Sequence, residues 1–298
     1  MTAEHSGFVA IIGRPNVGKS TLLNAVLDHK VAIVTDKPQT TRSRIRGIWN
    51  TDAGQLVLVD TPGIHRPRHL LGRRLVHTAQ HAARDVDLLW HVVDLMRTPN
   101  EEDRWAADLI HRTGIPGWLI GNKADRARDA EERLGGYRAM APYQGTFTVS
   151  ALTGSGVRLL AEAAMEAMPK GPRFFPPDVV TDQAEDFYIG EVIREQILEL
   201  TREEVPHAVA VVVEEKTARR EDLTFIRAVV YTERESQRAI LIGAGGRMSK
   251  EIGRRSRVAL EEYFGHAVYL DLWVKVEARW RDRDAWVRRL NGAGEGGP

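Results

Sequence analysis

The sequence predicts two domains: an α/β domain with a mostly parallel sheet and helices on both faces, then a smaller α+β domain. Three observations carry this. From Phe8 to about Met168, short apolar runs alternate with longer amphipathic stretches, the pattern of repeated βα units. Gly13–Ser20, between the first run and the first amphipathic stretch, fits G-x-x-x-x-G-K-[ST]. The proline-rich break Gly171-Pro172-Arg173-Phe174-Phe175-Pro176-Pro177-Asp178 then ends that pattern, and a different one begins. The boundaries read as a first domain over 6–170, a linker over 171–185 stiffened by its prolines and pinned by Phe174 and Phe175, a second domain over 186–290, and a Gly-rich, disordered tail over 291–298.

Composition bounds the function. The 298 residues are 43% apolar, enough for two cores. No apolar run approaches the ~18 residues of a membrane span, mean hydropathy is −0.32, and Met1–Ser6 has neither the basic nor the apolar region of a secretory signal. There is no cysteine, which excludes disulfides, thiolate metal sites and Cys nucleophiles and fits a reducing compartment. The net charge of +1 argues neither for nor against nucleic acid.

Strands are predicted over Phe8–Ile12, Gln55–Val59, Leu88–Val93, Gly117–Ile120 and Thr146–Val149, and helices over Thr21–Leu27, Leu70–Ala83, Glu102–His111 and Gly156–Met168. Ligands bind beyond the carboxyl ends of such strands, and each motif falls there. After Phe8–Ile12, the residues Gly13, Asn16, Val17, Gly18, Lys19, Ser20 and Thr21 form a phosphate cradle of backbone N–H groups, a helix N-terminus and an ammonium, with the Ser20 hydroxyl for Mg²⁺. After Leu56–Val59 comes Asp60-Thr61-Pro62-Gly63: a carboxylate that reaches Mg²⁺ through water, and a glycine N–H for a terminal phosphate. After Trp118–Gly121 comes Asn122-Lys123-Ala124-Asp125. Asp125 can accept two hydrogen bonds from guanine but not from adenine, Lys123 can lie along the base, and Asn122 can tie the loop down. Ser150-Ala151 follows the last strand, with the Ala151 N–H placed to meet the guanine O6.

These motifs, in this order, resemble the small GTPases. The string G-R-P-N-V-G-K-S, with Pro38-Gln39-Thr40-Thr41-Arg42 and Asp60-Thr61-Pro62-Gly63-Ile64-His65, resembles the Era family. The resemblance implies a switch-I threonine on Mg²⁺: Thr41, with Thr40 as the alternative. Lys19, Thr41, Asp60 and Gly63 would then serve GTP hydrolysis, with Ser20, Thr41 and Asp60 as the metal set. Ile64 stands where Ras-like enzymes carry a glutamine. It cannot orient water, so intrinsic hydrolysis is expected to be slow. In related GTPases the Asn16 position helps hold K⁺ beside the phosphates; the alternative is that Asn16 only pins switch I. His65, His69 and His77 read as solvated loop histidines.

In the second half, Asp186–Leu200 reads as a helix with Ile189, Val192, Ile193, Gln196, Ile197 and Leu200 along one face. His207–Glu215 and Leu223–Thr232 read as strands. Val268, Leu270, Leu272, Val274 and Val276 alternate as a strand with one buried face. Ile242-Gly243-Ala244-Gly245-Gly246, a strand or short helix before it and a basic helix after it, resembles the G-x-x-G loop of KH domains, which approaches a single-stranded RNA backbone. Arg247, Lys250, Arg254 and Arg257 form one helical stripe, while Met248, Ile252 and Leu260 point to a core. Gly243–Val258 holds five basic residues and one acidic, but Arg173–Pro298 as a whole holds 20 basic against 23 acidic. The RNA case therefore rests on charge placement. The Era family has a C-terminal KH domain and usually carries lysine where this chain has Ala244, so one phosphate contact is missing or replaced by Arg247. Trp273, Trp280 and Trp286 can stack on bases, but packing is the simpler use.

What the resemblance implies is a P-loop GTPase domain plus a KH domain, acting on small-subunit ribosomal RNA near its 3′ end during subunit maturation. GTP or GDP would be the ligand, Mg²⁺ the cofactor with K⁺ as a second candidate, and the small ribosomal subunit the partner of a monomeric, cytoplasmic protein. A peripheral contact at the inner membrane face is the alternative placement, and Asp282 and Asp284 among the closing arginines oppose it. The competing functions are another RNA-linked GTPase, a tRNA-related factor, a non-hydrolysing RNA scaffold and an ATPase.

Overall fold

The computed structural model describes residues 4–37, 40–41, 44–63, 85–202, 205–283 and 286. The predicted helix Leu70–Ala83, together with Pro38, Gln39, Arg42, Ile64, His65, His69, His77, Asp284 and the tail 291–298, lies outside them. The chain divides into two compact units, Met1–Asp182 and Gln183–Pro298.

The first unit is built on six strands: β1 (His5–Ile12), β2 (Ile45–Thr51), β3 (Gly54–Asp60), β4 (Leu88–Asp94), β5 (Gly117–Asn122) and β6 (Gly145–Thr148). They run in the order β2-β3-β1-β4-β5-β6, with only the β2–β3 pair antiparallel. Strand side chains alternate between two buried faces. Val9 and Ile11 of β1, with Trp90 and Val92 of β4, meet Leu22, Leu23 and Val26 of α1 (Lys19–Leu27) and Leu160, Ala164 and Met165 of α4 (Val157–Ala167). On the opposite face, Ala10 and Ile12 meet Ala106, Leu109 and Ile110 of α2 (Glu101–Thr113), and Leu119 meets Leu134 and Tyr137 of α3 (Ala130–Arg138).

Two elements of this unit carried too little signal to predict. β2 contains Arg46 and Gly47 and breaks the apolar alternation; its antiparallel partner β3 and its place at the sheet edge make it a strand. α3 is polar and carries Gly135 and Gly136, and only Leu134 and Tyr137 are buried.

The segment read as a linker lies on the first unit. The buried Gln55 amide accepts from the Phe174 and Phe175 N–H groups (2.8 and 3.0 Å) and donates to the Phe175 carbonyl (2.9 Å). Phe174 packs on Phe8 with ring centroids 4.7 Å apart. Further along, Ile48 N–H donates to Val180 O (2.8 Å), Thr181 Oγ1 donates to Arg46 O (2.7 Å), and Arg46 pairs with Asp182. The segment thereby covers the outer edge of β2, which would otherwise expose unpaired backbone groups.

The second unit is a three-stranded sheet, β7 (Ala210–Arg220), β8 (Leu223–Thr232) and β9 (Ala267–Val276), with β7–β8 antiparallel and β8–β9 parallel. The predicted strand start at His207 is corrected: Val205–Ala208 is a helical turn, and β7 starts at Ala210 and continues through the charged Lys216–Arg220. Three helices, α5 (Glu185–Leu200), α6 (Glu235–Ile242) and α7 (Arg247–Phe264), supply one face of the core. Ile189, Val192, Ile193 and Ile197 of α5 and Leu241, Ile252 and Leu260 of α6 and α7 pack with Ile226, Ala228, Val230 and Val268. The segment before the glycine loop, open between strand and short helix in the sequence, is the helix α6.

Candidate functional site

The phosphate loop follows β1 because β1 ends in the middle of the sheet, between β3 and β4. Gly18, the residue before α1, has φ +97°, and a Cβ there would lie 2.3 Å from Asn122 Nδ2. Only glycine permits both. Lys19 is buried, and its ammonium donates to the carbonyls of Gly13 (3.1 Å) and Arg14 (2.9 Å), so it crosses the mouth of its own loop. Burial lowers Lys19 from its ordinary 10.5 to about 8, partly offset by Asp60 and Glu102. The loop is also held from behind: the buried Arg14 guanidinium meets the buried Asp103 carboxylate at 3.4 Å, and Asp103 closes a capping box with Asn100 at the start of α2.

Three oxygens converge beside Lys19. Ser20 Oγ donates to Asp60 Oδ2 (2.6 Å), Thr41 Oγ1 donates to the same atom (3.2 Å), and the two hydroxyls lie 2.9 Å apart. Asp60 Oδ1 is buried with no hydrogen-bond partner. Burial raises the Asp60 pKa, against the pull of Lys19, the two hydroxyls and the Thr61 N–H. A cluster of hard oxygens with one unsatisfied carboxylate atom suits a small divalent cation. Thr40 stands elsewhere: its hydroxyl donates to Lys37 O (2.7 Å) and lies 2.7 Å from Thr35 Oγ1. Gly63 closes the wall; a Cβ there would lie 2.8 Å from Pro15 N, so the two loops touch backbone to backbone. Asn16 Nδ2 donates to Asp36 O (2.7 Å), joining the phosphate loop to the segment that carries Thr40 and Thr41.

The base loop is organised by Asn122. Its amide donates to Val17 O (2.8 Å), and its Oδ1 accepts from Ala151 N–H (2.9 Å). The Ala151 N–H, expected at the guanine O6, thus lies at the base loop with the Asn122 amide oxygen as its acceptor. Ser150 Oγ donates to Asp125 Oδ1 (2.6 Å) and so orients the carboxylate expected to read the base. Lys123 Nζ donates to Asn16 O and to Asp94 Oδ2, both at 2.9 Å. Sequence reasoning missed Asp94, Asp103 and Arg14 because each acts through a partner distant in the chain. His91 is also buried; its Nδ1 lies 2.6 Å from Tyr143 Oη, and burial, Lys19 and Arg14 push it down to about 3, so it stays neutral.

In the second unit the loop Gly243–Gly246 joins α6 to α7. Gly243, Gly245 and Gly246 have φ of +70°, +60° and +76°, and Ala244 and Gly245 are exposed. The left-handed backbone presents this loop at the N-terminus of the 18-residue α7. Arg247 and Lys250 are exposed, and Arg247 Nε donates back to Ala244 O (3.3 Å). The far end of the basic stripe is paired within α7. Arg254 makes two bonds to Glu251 (2.9 and 2.8 Å) and Arg257 one to Glu261 (3.0 Å), because carboxylates lie one helical turn away. Trp280 is core, its indole N–H donating to Ala208 O (3.0 Å). Trp286 packs edge-on against Tyr231, and Trp273 is 55% exposed.

A strand–glycine loop–helix cradle, a hydroxyl–carboxylate cluster beside its lysine and an N-K-x-D base loop define the first unit as a P-loop GTPase domain; the sheet, helices and glycine loop of the second define a KH domain. Residues 8–123 match the family described as 50S ribosome-binding GTPase, and residues 204–281 match the KH domain. The chain is 45% identical over 295 residues to GTPase Era of Carboxydothermus hydrogenoformans, covering 96% of this chain and 97% of that protein. The crystal structure of a tyrosine-to-alanine variant of Aquifex aeolicus Era bound to GDP·AlF4⁻ matches with a TM-score of 0.92 at 34% identity, covering 97% of this chain and 99% of that one. The structure of Era in complex with MgGDPNP and nucleotides 1506–1542 of 16S ribosomal RNA matches with the same TM-score, identity and coverage. The chain belongs to the Era family of GTPases.

Proposed function

We propose that this protein is a GTP-hydrolysing switch that binds small-subunit ribosomal RNA near its 3′ end through its KH unit and assists maturation of the small subunit in the cytoplasm. The observation that carries the reading is the Ser20–Thr41–Asp60 cluster beside Lys19, in a chain that also holds an exposed glycine loop at a helix N-terminus. Kinship with Era along nearly the whole chain, and the relative bound to MgGDPNP and the 1506–1542 RNA, support it.

The chain's own groups fit the steps. Backbone N–H groups of Gly13–Ser20 and the Lys19 ammonium hold the triphosphate, and Gly63 brings its backbone up to the phosphate loop. Ser20 and Thr41 would hold Mg²⁺ with Asp60 behind them; bound there, the ion neutralises charge on the β and γ phosphates. Among the described residues no cluster of three or more His, Asp or Glu could hold a metal, which fits an ion bound largely through substrate phosphates and water. Asp125, oriented by Ser150, reads the guanine edge. Because Thr41 sits in the metal cluster and Asn16 reaches Asp36, loss of the terminal phosphate would release the segment between them. The Asn16–Asp36 bond supports the pinning role for Asn16. A K⁺ ion would need the amide oxygen, a different atom, so the two roles are compatible. Among the described residues no helix is long and apolar enough to cross a membrane.

Crosslinking in the presence of GTP and of GDP, followed by sequencing of the recovered RNA, tests the reading. Enrichment of the small-subunit 3′ end in one nucleotide state is expected. Recovery of unrelated RNA in both states would overturn it.

A further inference from the structure

Asp94 is buried at the last position of β4, beyond the motifs that define the family. Its Oδ2 accepts from Lys123 Nζ at 2.9 Å, and Arg97 Nε lies 3.7 Å from the same atom. Its Oδ1 accepts from the Met96 N–H at 2.9 Å, fixing the turn that leaves the strand. Lys123 carries the contact onward to Asn16 O at 2.9 Å. Among the described residues four non-glycine positions have positive φ, and two of them, Asn16 (+62°) and Lys123 (+67°), meet at this ammonium. Such conformations persist only where surroundings over-determine them. A single carboxylate therefore anchors the lysine that ties the base loop to the phosphate loop.

We propose that Asp94 is a positioning residue for guanine-nucleotide retention: it fixes the Lys123 ammonium across the base and phosphate loops. The proposal rests on the guanine-nucleotide reading above and deepens it. Asp94 acts through Lys123 and does not touch the nucleotide.

The test is dissociation of a fluorescent GDP from the full chain. Asp94→Asn keeps the shape and the acceptor for Met96 but replaces the oxygen facing Lys123 with an amide donor. GDP release about tenfold faster or more is expected, the scale of one lost charge-assisted hydrogen bond. Lys123→Met should release GDP faster as well, and Asp94→Asn/Lys123→Met should release it no faster than Lys123→Met alone. This non-additivity separates a role through Lys123 from a general structural one. If Asp94→Asn does not fold, the double variant, which leaves no unpaired charge at the contact, is compared with Lys123→Met: equal release is expected, and faster release overturns the proposal. Release within twofold of wild type, or a further loss in the double variant, overturns the proposal. Failure of the wild-type chain to bind GDP would instead sink the guanine-nucleotide reading on which it rests.

Discussion

Lys19 makes nucleotide binding pH-dependent in a calculable way. Without nucleotide its pKa is lowered to about 8 because burial strips water from the ammonium, partly offset by Asp60 and Glu102. Bound phosphate favours the charged form and restores a high pKa, so above about pH 8 binding must take up a proton. The free protein's neutral fraction then sets the loss: between about pH 7.5 and about pH 9 affinity falls by a factor of about (1 + 10)/(1 + 0.3), roughly eightfold. His91, held near 3, is neutral throughout that window and adds nothing. Calorimetry of GDP binding in buffers of different ionisation enthalpy measures both the affinity and the proton uptake. Lys19→Met should bind weakly with a flat profile. A flat wild-type profile, or an equal slope in Lys19→Met, would show that Lys19 does not set the pH dependence. For folding the sign is opposite. Between about pH 8 and 10.5 the unfolded chain holds the Lys19 proton that the nucleotide-free fold has released, so this group's contribution to stability rises with pH there.

Further outcomes follow from the same geometry. Asp125→Asn should shift preference from GDP to xanthosine diphosphate, because the amide replaces a guanine-matched acceptor with a donor; competition binding measures it. Thr41→Ala should slow single-turnover GTP hydrolysis by about tenfold or more at fixed Mg²⁺, while Thr40→Ala, whose hydroxyl lies with Lys37 and Thr35, should change it by less than about threefold. Ala244→Lys adds a cation to the exposed loop, so the slope of log affinity for single-stranded RNA against log salt should steepen by about 0.7, read by titrations across salt concentrations.

What could be read from the chain was whatever depends on neighbours in sequence. The βα alternation placed the central strands because both faces of each strand are buried, leaving continuous apolar runs such as Leu56–Val59 and Leu88–Val93. The phosphate loop was legible because glycine spacing, a lysine and a following helix are all local requirements. β2 was not legible, since its strand character comes from pairing with β3 and from the segment covering its edge. Nor was the tie between Ala151 and Asn122: the Asn122 amide oxygen turns to the Ala151 N–H because its other end is committed to Val17. Asp103 looked like one acid in the charged start of a helix, and its value as an anchor appears only when folding brings Arg14 against it. On α7 the basic stripe was visible, but the partners one turn away from Arg254 and Arg257 decide how much of its charge faces outward.

Guanine-nucleotide state is expected to control the grip of the KH unit on RNA. The direct measurement is the affinity of the full chain for an RNA spanning the small-subunit 3′ end, taken nucleotide-free, with GDP, with a non-hydrolysable GTP analogue and with the adenine counterpart. The GTP analogue should shift RNA affinity relative to GDP, and the adenine nucleotide should leave the nucleotide-free value unchanged. Equal RNA affinity in all four conditions would contradict that control.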